Sequence, residues 1–261
     1  MADAEGHRAL ADAVAGIAAE AGDYALARWR TDFRRWEKAP GSPVCEVDLA
    51  VDALLRERLS ALLPDAGWLS EETADSADRL DCARLWVVDP IDGTRDYIRG
   101  RPGWCVSVAL VEDGLPVIGV LDAPVRGERW RSAAGGGALR NGTRLRVSEH
   151  TGLAGARVPT DVLPRADRAL MVAVDKPNSI ALRVGMVAAG EADLVATTRW
   201  GNEWDVAAAV LLAQEAGAKV TDANGAPLTF NRPRPQAQGL LVAPPALHAA
   251  ALARAPAQAR P

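Results

Sequence analysis

The stretch from Leu85 to Tyr97, LWVVDPIDGTRDY, constrains the chain more than any other. Four apolar residues, Leu85 to Val88, run into an acidic turn punctuated by Pro90 and Gly93. That is the pattern of a buried strand delivering Asp89 and Asp92 onto a loop at its carboxyl end. Pro90 fixes its own φ and biases Asp89 toward extended backbone, and Gly93 lets the chain pass close to a ligand ahead of Thr94. Two carboxylates held this close repel, and their pKa values rise unless a cation sits between them. A divalent metal is the simplest such cation. Taken alone, the same letters equally describe a surface turn, because Asp, Pro and Gly are ordinary turn residues.

Two further pieces flank it. Upstream, the acidic pair Glu71-Glu72 follows Trp68-Leu69; downstream, WDVAAAVLLAQEAGAKVTD runs from Trp204 to Asp222. In this order the three pieces resemble the inositol monophosphatase family of metal-dependent phosphatases. Its patterns are a G/S-E-E acidic loop, W-x-x-D-P-I-D-G-T, and W-D-x-A-A-G with E-A-G-G. The resemblance runs from about Lys38 to about Asn231. It implies an α+β, layered αβαβα sugar-phosphatase fold in two sub-domains with the site between them. Residues 1–147 would bind metal and phosphate, and 148–261 would complete the metal site and the substrate pocket.

At 261 residues the chain can bury a large core. Its net charge of −4, with both signs mixed along the sequence, leaves no basic footprint for nucleic acid or an anionic membrane. Cys45, Cys82 and Cys105 form no CxxC pair and leave one over, the pattern of free thiols in a reducing cytoplasm. The amino-terminal segment carries acids from its third residue and an amphipathic helical pattern, so no secretory signal is expected. No apolar run approaches the roughly 18 to 20 residues that span a bilayer.

Taken in order, about His7 to Arg30 reads as an Ala-rich helix behind the site. After a Gly41-Ser42-Pro43 loop, Asp48 opens a helix over Leu49–Leu63 that Pro64 ends. Beyond the central turn, Trp104–Val111 and Pro116–Asp122 read as strands joined by Glu112-Asp113-Gly114, with another strand at Glu128–Ala133. The run Gly135-Gly136-Gly137 lacks dinucleotide-binding spacing and reads as a tight turn. A domain boundary falls within Arg140–Leu170. The second half alternates strand and helix: Leu170–Val174, Ser179–Gly190, Ala192–Ala196, Asp205–Ala216, Ala218–Thr221, Leu240–Ala243 and Pro245–Arg254. Relative to the family, the segment between Val147 and Asn178 is short. The Ala/Pro-rich tail after Leu252 is expected to fray.

Oxygen donors without His or Cys point to Mg²⁺. The resemblance implies two or three such ions held by Glu71, Asp89, Asp92, Asp205 and the carbonyl of Ile91, with lithium inhibition. Asp48 would act further out, through water. Glu71 would also orient the attacking water, with Thr94 paired to it and sharing its proton, while Glu72 supports the loop. The N–H groups of Gly93 and Thr94 would hold phosphate oxygens at the start of a short helix. Local readings compete: Asp48 and Asp205 both serve equally as helix caps, and Lys38 as a solvated lysine. Trp204 reads as a core anchor and His7, His150 and His248 as surface histidines. The family usually has Thr where this chain has Cys45.

The substrate side is thinner. Inositol phosphatases place an acid seven positions before the W-D aspartate, where this chain has Thr198. Asp96 and the E-W-D of TTRWGNEWD are similar to the bacterial CysQ branch, which removes the 3′-phosphate of 3′-phosphoadenosine 5′-phosphate. Thr198, Arg199, Trp200 and Glu203 are the substrate-side candidates. Arg199 would meet the second phosphate and Trp200 would stack on a base, or both lie on a surface loop. The implied partner is a small phosphorylated metabolite, for a monomer or homodimer. Alternatives are an inositol-1-phosphatase, another sugar or histidinol phosphate phosphatase, or an inactive metal-binding module. A serine hydrolase would need G-x-S-x-G and a P-loop enzyme a Gly-Lys pair; the sequence has neither.

Overall fold

The computed structural model describes residues 2–39 and 41–254. Its centre is a seven-stranded sheet in sequential order: β3 (Gly67–Ser70), β4 (Arg84–Asp92), β5 (Cys105–Glu112), β6 (Leu115–Ala123), β7 (Glu128–Ala133), β8 (Gly137–Arg140) and β9 (Thr143–Arg144). All neighbours are antiparallel except β3 and β4. Asp113 and Gly114 both take positive φ, 49° and 75°, the geometry that lets a two-residue turn follow the twist of β5 and β6. The earlier hairpin β1 (Arg35–Ala39) and β2 (Ser42–Cys45) stands apart from this sheet.

Strand β4 is buried from Leu85 onward because helices cover both faces of the sheet. One face carries α1 (Ala2–Arg28) and α2 (Glu46–Leu62). Val14, Ala18 and Ala21 of α1, with Val51, Leu55 and Leu59 of α2, pack on Trp86, Val88 and Val108. The opposite face carries α4 (Ile180–Ala188) and α5 (Glu203–Glu215) against Leu85, Val87, Leu121 and Trp130. Each large aliphatic side chain so withdrawn from water contributes about 1.5–3 kcal/mol. The alanines of α5 bring its backbone close: a Cβ added to Gly119 of β6 would collide with the Ala208 carbonyl.

Beyond α4 and α5 lies a three-stranded antiparallel sheet, β12 (Val195–Asn202), β14 (Gln236–Ala243) and β13 (Lys219–Thr221), and on its far side α6 (Pro245–Arg254). Helix, sheet, helix, sheet, helix is the αβαβα layering expected. A short α3 (Thr94–Ile98) follows β4, and β10 (Arg157–Pro159) pairs in parallel with β11 (Val172–Val174). The position 147/148 falls between β9 and β10, yet the larger buried cluster draws on both sides of it, since α4 and α5 complete the first sheet's core.

Three local expectations are corrected, and a fourth falls outside the described residues. Asp89 and Asp92 sit on the last residues of β4 rather than on a loop, with a bulge between them where the register against β5 shifts. The strand expected at Ala192–Ala196 forms at Val195–Asn202, because Asp193 and Leu194 are tied to the Arg157 carbonyl of β10. Its neighbour Asp193 also takes the Arg157 guanidinium at 2.8 Å. His248 is fully buried, its Nε2 2.9 Å from Thr221 Oγ1, because its turn of α6 faces the small sheet. The tail expected to fray lies past Arg254, outside the described residues, whereas Leu252 still belongs to α6. Among the described residues, no helix is long and apolar enough to cross a membrane. All three cysteines are free.

Candidate active site

Three separated pieces of chain bring their acids together. Glu71 follows β3, Asp89 lies near the end of β4, and Asp205 lies in the first turn of α5. One carboxylate oxygen from each lies within 4.8 Å of the others. They line a cavity of about 510 Å³ with Asp92, Gly93, Thr94, Arg95 and Asn178.

The fold uses one oxygen of most of these acids and leaves the other toward the cavity. Asp89 Oδ1 accepts the Ile91 N–H at 3.1 Å. Asp92 Oδ2 accepts Ser179 Oγ at 2.5 Å and the Ala181 N–H at 2.8 Å, which ties β4 to the start of α4. Asp205 Oδ2 accepts the Asn202 N–H at 2.8 Å. Among the described residues Asp89 Oδ2, Asp92 Oδ1 and Asp205 Oδ1 receive no hydrogen bond. This is how a fold aims a carboxylate while leaving it a free ligand atom.

Asp48 and Asp205 both occupy the third helical position rather than the cap. Cys45 precedes α2 and Asn202 precedes α5, and each acid reaches back to the preceding backbone N–H. Asp48 Oδ2 takes the Cys45 N–H and thiol, both at 2.8 Å, so Cys45 does the holding in the place of the family's threonine. Asp48 Oδ1 takes Thr94 Oγ1 at 3.2 Å, and the same hydroxyl lies 3.0 Å from the Ile91 carbonyl. The expected Thr94–Glu71 pairing is therefore corrected: Thr94 answers to Asp48. Glu71 is instead held by Lys38 Nζ at 3.1 Å, and Lys38 also bonds Glu72 Oε1 at 2.7 Å. Lys38 is thus part of the acidic loop, not a solvated lysine.

Crowding shows in the acidities. Burial, then the charges of Glu71, Asp92 and Asp205, push Asp89 well above the carboxylate range. Burial followed by Asp92 raises Asp205 to about 8. Burial raises Asp92 to about 6 against the pull of Ser179, and Asp48 to about 6 against that of Cys45. These are acids waiting for compensating positive charge.

On the substrate side, Thr198 and Arg199 are exposed on β12, where the pairing with β14 shifts register. The backbone of Trp200 pairs with Gln238, but its side chain lies outside what is described. Glu203 is corrected. Its carboxylate is buried and takes the Asn231 and Arg232 N–H groups at 2.8 and 3.0 Å, so it anchors α5 rather than facing the cavity. Asp96 is buried too, accepting the Asn178 N–H at 3.1 Å. Trp204 packs, partly buried, against the larger core.

The chain has known counterparts. The inositol monophosphatase family model matches residues 8–259. The chain belongs to the inositol monophosphatase family. A Nus factor SuhB of Xylella fastidiosa is 37% identical to it over 195 residues, 69% of each chain. The 3′(2′),5′-bisphosphate nucleotidase CysQ of Aggregatibacter actinomycetemcomitans is 32% identical over 241 residues, 83% of this chain and 85% of its own. Among solved structures, the extragenic suppressor protein SuhB from Bartonella henselae superposes with a TM-score of 0.83 at 26% identity, covering 94% of this chain and 97% of that one. The chain is accordingly a phosphatase, a hydrolase of phosphomonoesters. Residues that the motifs of the inositol monophosphatase family did not single out also shape the site. Ser179 steadies Asp92, and Arg95 and Asn178 line the cavity. Of these only Arg95 lies next to a motif; Asn178 and Ser179 are placed by the route of the chain into α4.

Proposed function

We propose that this chain is a magnesium-dependent phosphomonoesterase whose preferred substrate is 3′-phosphoadenosine 5′-phosphate. The observation that carries the reading is the convergence of Glu71, Asp89 and Asp205 from three distant segments to within 4.8 Å. The donors fit Mg²⁺: all are oxygens, and the raised pKa values of Asp89, Asp92 and Asp205 record a missing positive charge. Glu71, Asp89, Asp92, Asp205 and the Ile91 carbonyl would hold two or three ions. When bound, these supply positive charge opposite the phosphoryl oxygens and lower the pKa of the attacking water.

The chain's own groups then move the proton. Glu71 orients the water, and Thr94 Oγ1 accepts its proton while passing its own to Asp48 Oδ1. With a pKa near 6, Asp48 is largely ionised at neutral pH and can receive it. Water attacks phosphorus in line, the bond to the ester oxygen breaks, the departing oxygen takes a proton from solvent to leave as the alcohol, and no covalent phosphoenzyme forms. The N–H groups of Gly93 and Thr94, two residues that line the cavity, would hold the phosphate oxygens. Thr198, standing where inositol phosphatases carry an acid, offers no carboxylate to ring hydroxyls. Arg199 meets the substrate's second phosphate and Trp200 its base. Free thiols suit a reducing cytoplasm.

Phosphate release from 3′-phosphoadenosine 5′-phosphate, inositol 1-phosphate, fructose 1,6-bisphosphate and histidinol phosphate tests this directly. The nucleotide is expected to give the highest kcat/KM, with no release in EDTA and inhibition by lithium. A higher value for inositol 1-phosphate would move the assignment to that substrate.

A further inference from the structure

Asp52 stands one turn beyond Asp48 on α2, so both acids project from one face of that helix. Asp48 meets the Thr94 hydroxyl, whereas Asp52 meets the acidic loop. Its Oδ1 accepts Ser70 Oγ, and its Oδ2 accepts Thr73 Oγ1 at 2.7 Å. Ser70 and Thr73 bracket Glu71 and Glu72. Each hydroxyl also accepts: Ser70 Oγ takes the Glu72 N–H at 3.3 Å, and Thr73 Oγ1 takes the Trp68 indole N–H at 3.4 Å. With its one proton given to Asp52 and a lone pair given back to its own segment, each hydroxyl is fixed in direction.

Asp52 is buried to 7% exposure, and among the described residues these two hydroxyls are its long-range partners. A buried carboxyl is kept in place by whatever satisfies it, so helix and loop fix each other. The helix in turn is seated on β4, the strand that delivers Asp89, through Val51 and Leu55 against Trp86 and Val88. Lys38, the other side chain on Glu71 and Glu72, comes from the hairpin that stands apart from the central sheet. Of these two side-chain holds on the acidic loop, the one from Asp52 is anchored in the core.

We propose that Asp52 is a positioning residue for hydrolysis: through Ser70 and Thr73 it sets Glu71 in place relative to Asp48 and Thr94, so that one face of α2 aligns both ends of the proton path. The proposal rests on the phosphomonoesterase reading and deepens it with a residue that acts only through the loop. An amide cannot stand in for this carboxyl. Asn offers one oxygen, and its NH₂ would face a hydroxyl that already donates. Asp52→Asn therefore releases one side of the loop without opening a cavity.

Three measurements on Asp52→Asn test it. In the metal-free protein, hydrogen exchange of the Glu71 and Glu72 amides should quicken at least about tenfold, while amides of β5 and β6 keep their rates. Calorimetric titration with Mg²⁺ should give a dissociation constant about ten- to a hundredfold weaker. In saturating Mg²⁺, kcat should fall about ten- to a hundredfold with KM changed by less than about twofold. Thr73→Val removes one of the two hydroxyls and should show the same losses; Thr73→Ser keeps it and should behave as the intact enzyme. A lowered melting temperature with unchanged Mg²⁺ affinity and kcat would confine Asp52 to stability and overturn the proposal. If the intact chain neither binds Mg²⁺ nor releases phosphate, the phosphomonoesterase reading falls. Quickened exchange in Asp52→Asn would then still bear out the hold on the loop, and unchanged exchange would overturn it too.

Discussion

Asp89 is buried among the charges of Glu71, Asp92, Asp205 and Asp48, and its replacement by Asn separates structure from chemistry. Asn keeps an oxygen for the Ile91 N–H, so the bulge of β4 should survive. What is lost is a carboxyl whose ionisation is opposed by burial and by the charges of Glu71, Asp92 and Asp205. Asp89→Asn is therefore expected to abolish phosphate release while raising the melting temperature in EDTA, by about 2–4 °C for each kcal/mol of repulsion removed. Retained activity would reject the ligand role, and a lowered melting temperature would reject the account of the repulsion. Asp89 was legible in the sequence because the letters around it make a recognisable turn. Glu203 and His248 were not, because a buried polar side chain is defined by partners far along the chain. Asn231 and Arg232 supply them for Glu203, and Thr221 for His248.

Between elements, the start of α5 is fixed by an arginine that no motif contains. Arg79, in the turn between β3 and β4, is buried to 3% exposure. It forks onto Asp75 at 2.6 and 3.0 Å and reaches Asn231 Oδ1 at 2.7 Å and the Arg232 carbonyl at 2.9 Å. Asn231 and Arg232 in turn donate to Glu203, two residues before Asp205. One chain of contacts thus sets the acidic loop of Glu71 against the helix that carries Asp205. Arg79→Met should cost about 1–3 kcal/mol in urea unfolding, since the carbonyls it satisfies are left bare while exposed Asp75 returns to water. It should also raise the Mg²⁺ concentration for half-maximal activity about ten- to a hundredfold, as loss of a group that orients a metal ligand does. Arg79→Lys keeps the charge without the fork and should not rescue Mg²⁺ dependence. A normal Mg²⁺ requirement in either variant would confine Arg79 to stability. The strands and helices were legible as apolar runs and periodicity. Their joints were not, because Asp75, Arg79, Asn231 and Glu203 form a unit only after folding.

At the scale of the whole molecule, the site places buried carboxylates where both the first sheet and α5 must stay packed for either half to keep its core. That couples metal, protons and stability. Asp48 and Asp92, raised to about 6, and Asp205, raised to about 8, hold protons in the folded state that the unfolded chain gives up near pH 4. The folded state therefore binds more protons than the unfolded one across that interval, and stability must fall as pH rises from about 4 to about 8. This holds for the metal-free protein. Magnesium bound at the proposed site would reverse that slope, because an ion that needs ionised carboxylates competes with their protons and binds better as pH rises. At a hundred times its dissociation constant it should add about 2.7 kcal/mol. Thermal melts in EDTA and in saturating Mg²⁺ are thus expected to diverge with pH, the gap small at pH 5 and largest near pH 8. Asp89→Asn should shrink the gap at every pH. Melting curves that move in parallel across that range would mean that the acids do not meet the ion, and the magnesium site would have to be sought elsewhere on the molecule.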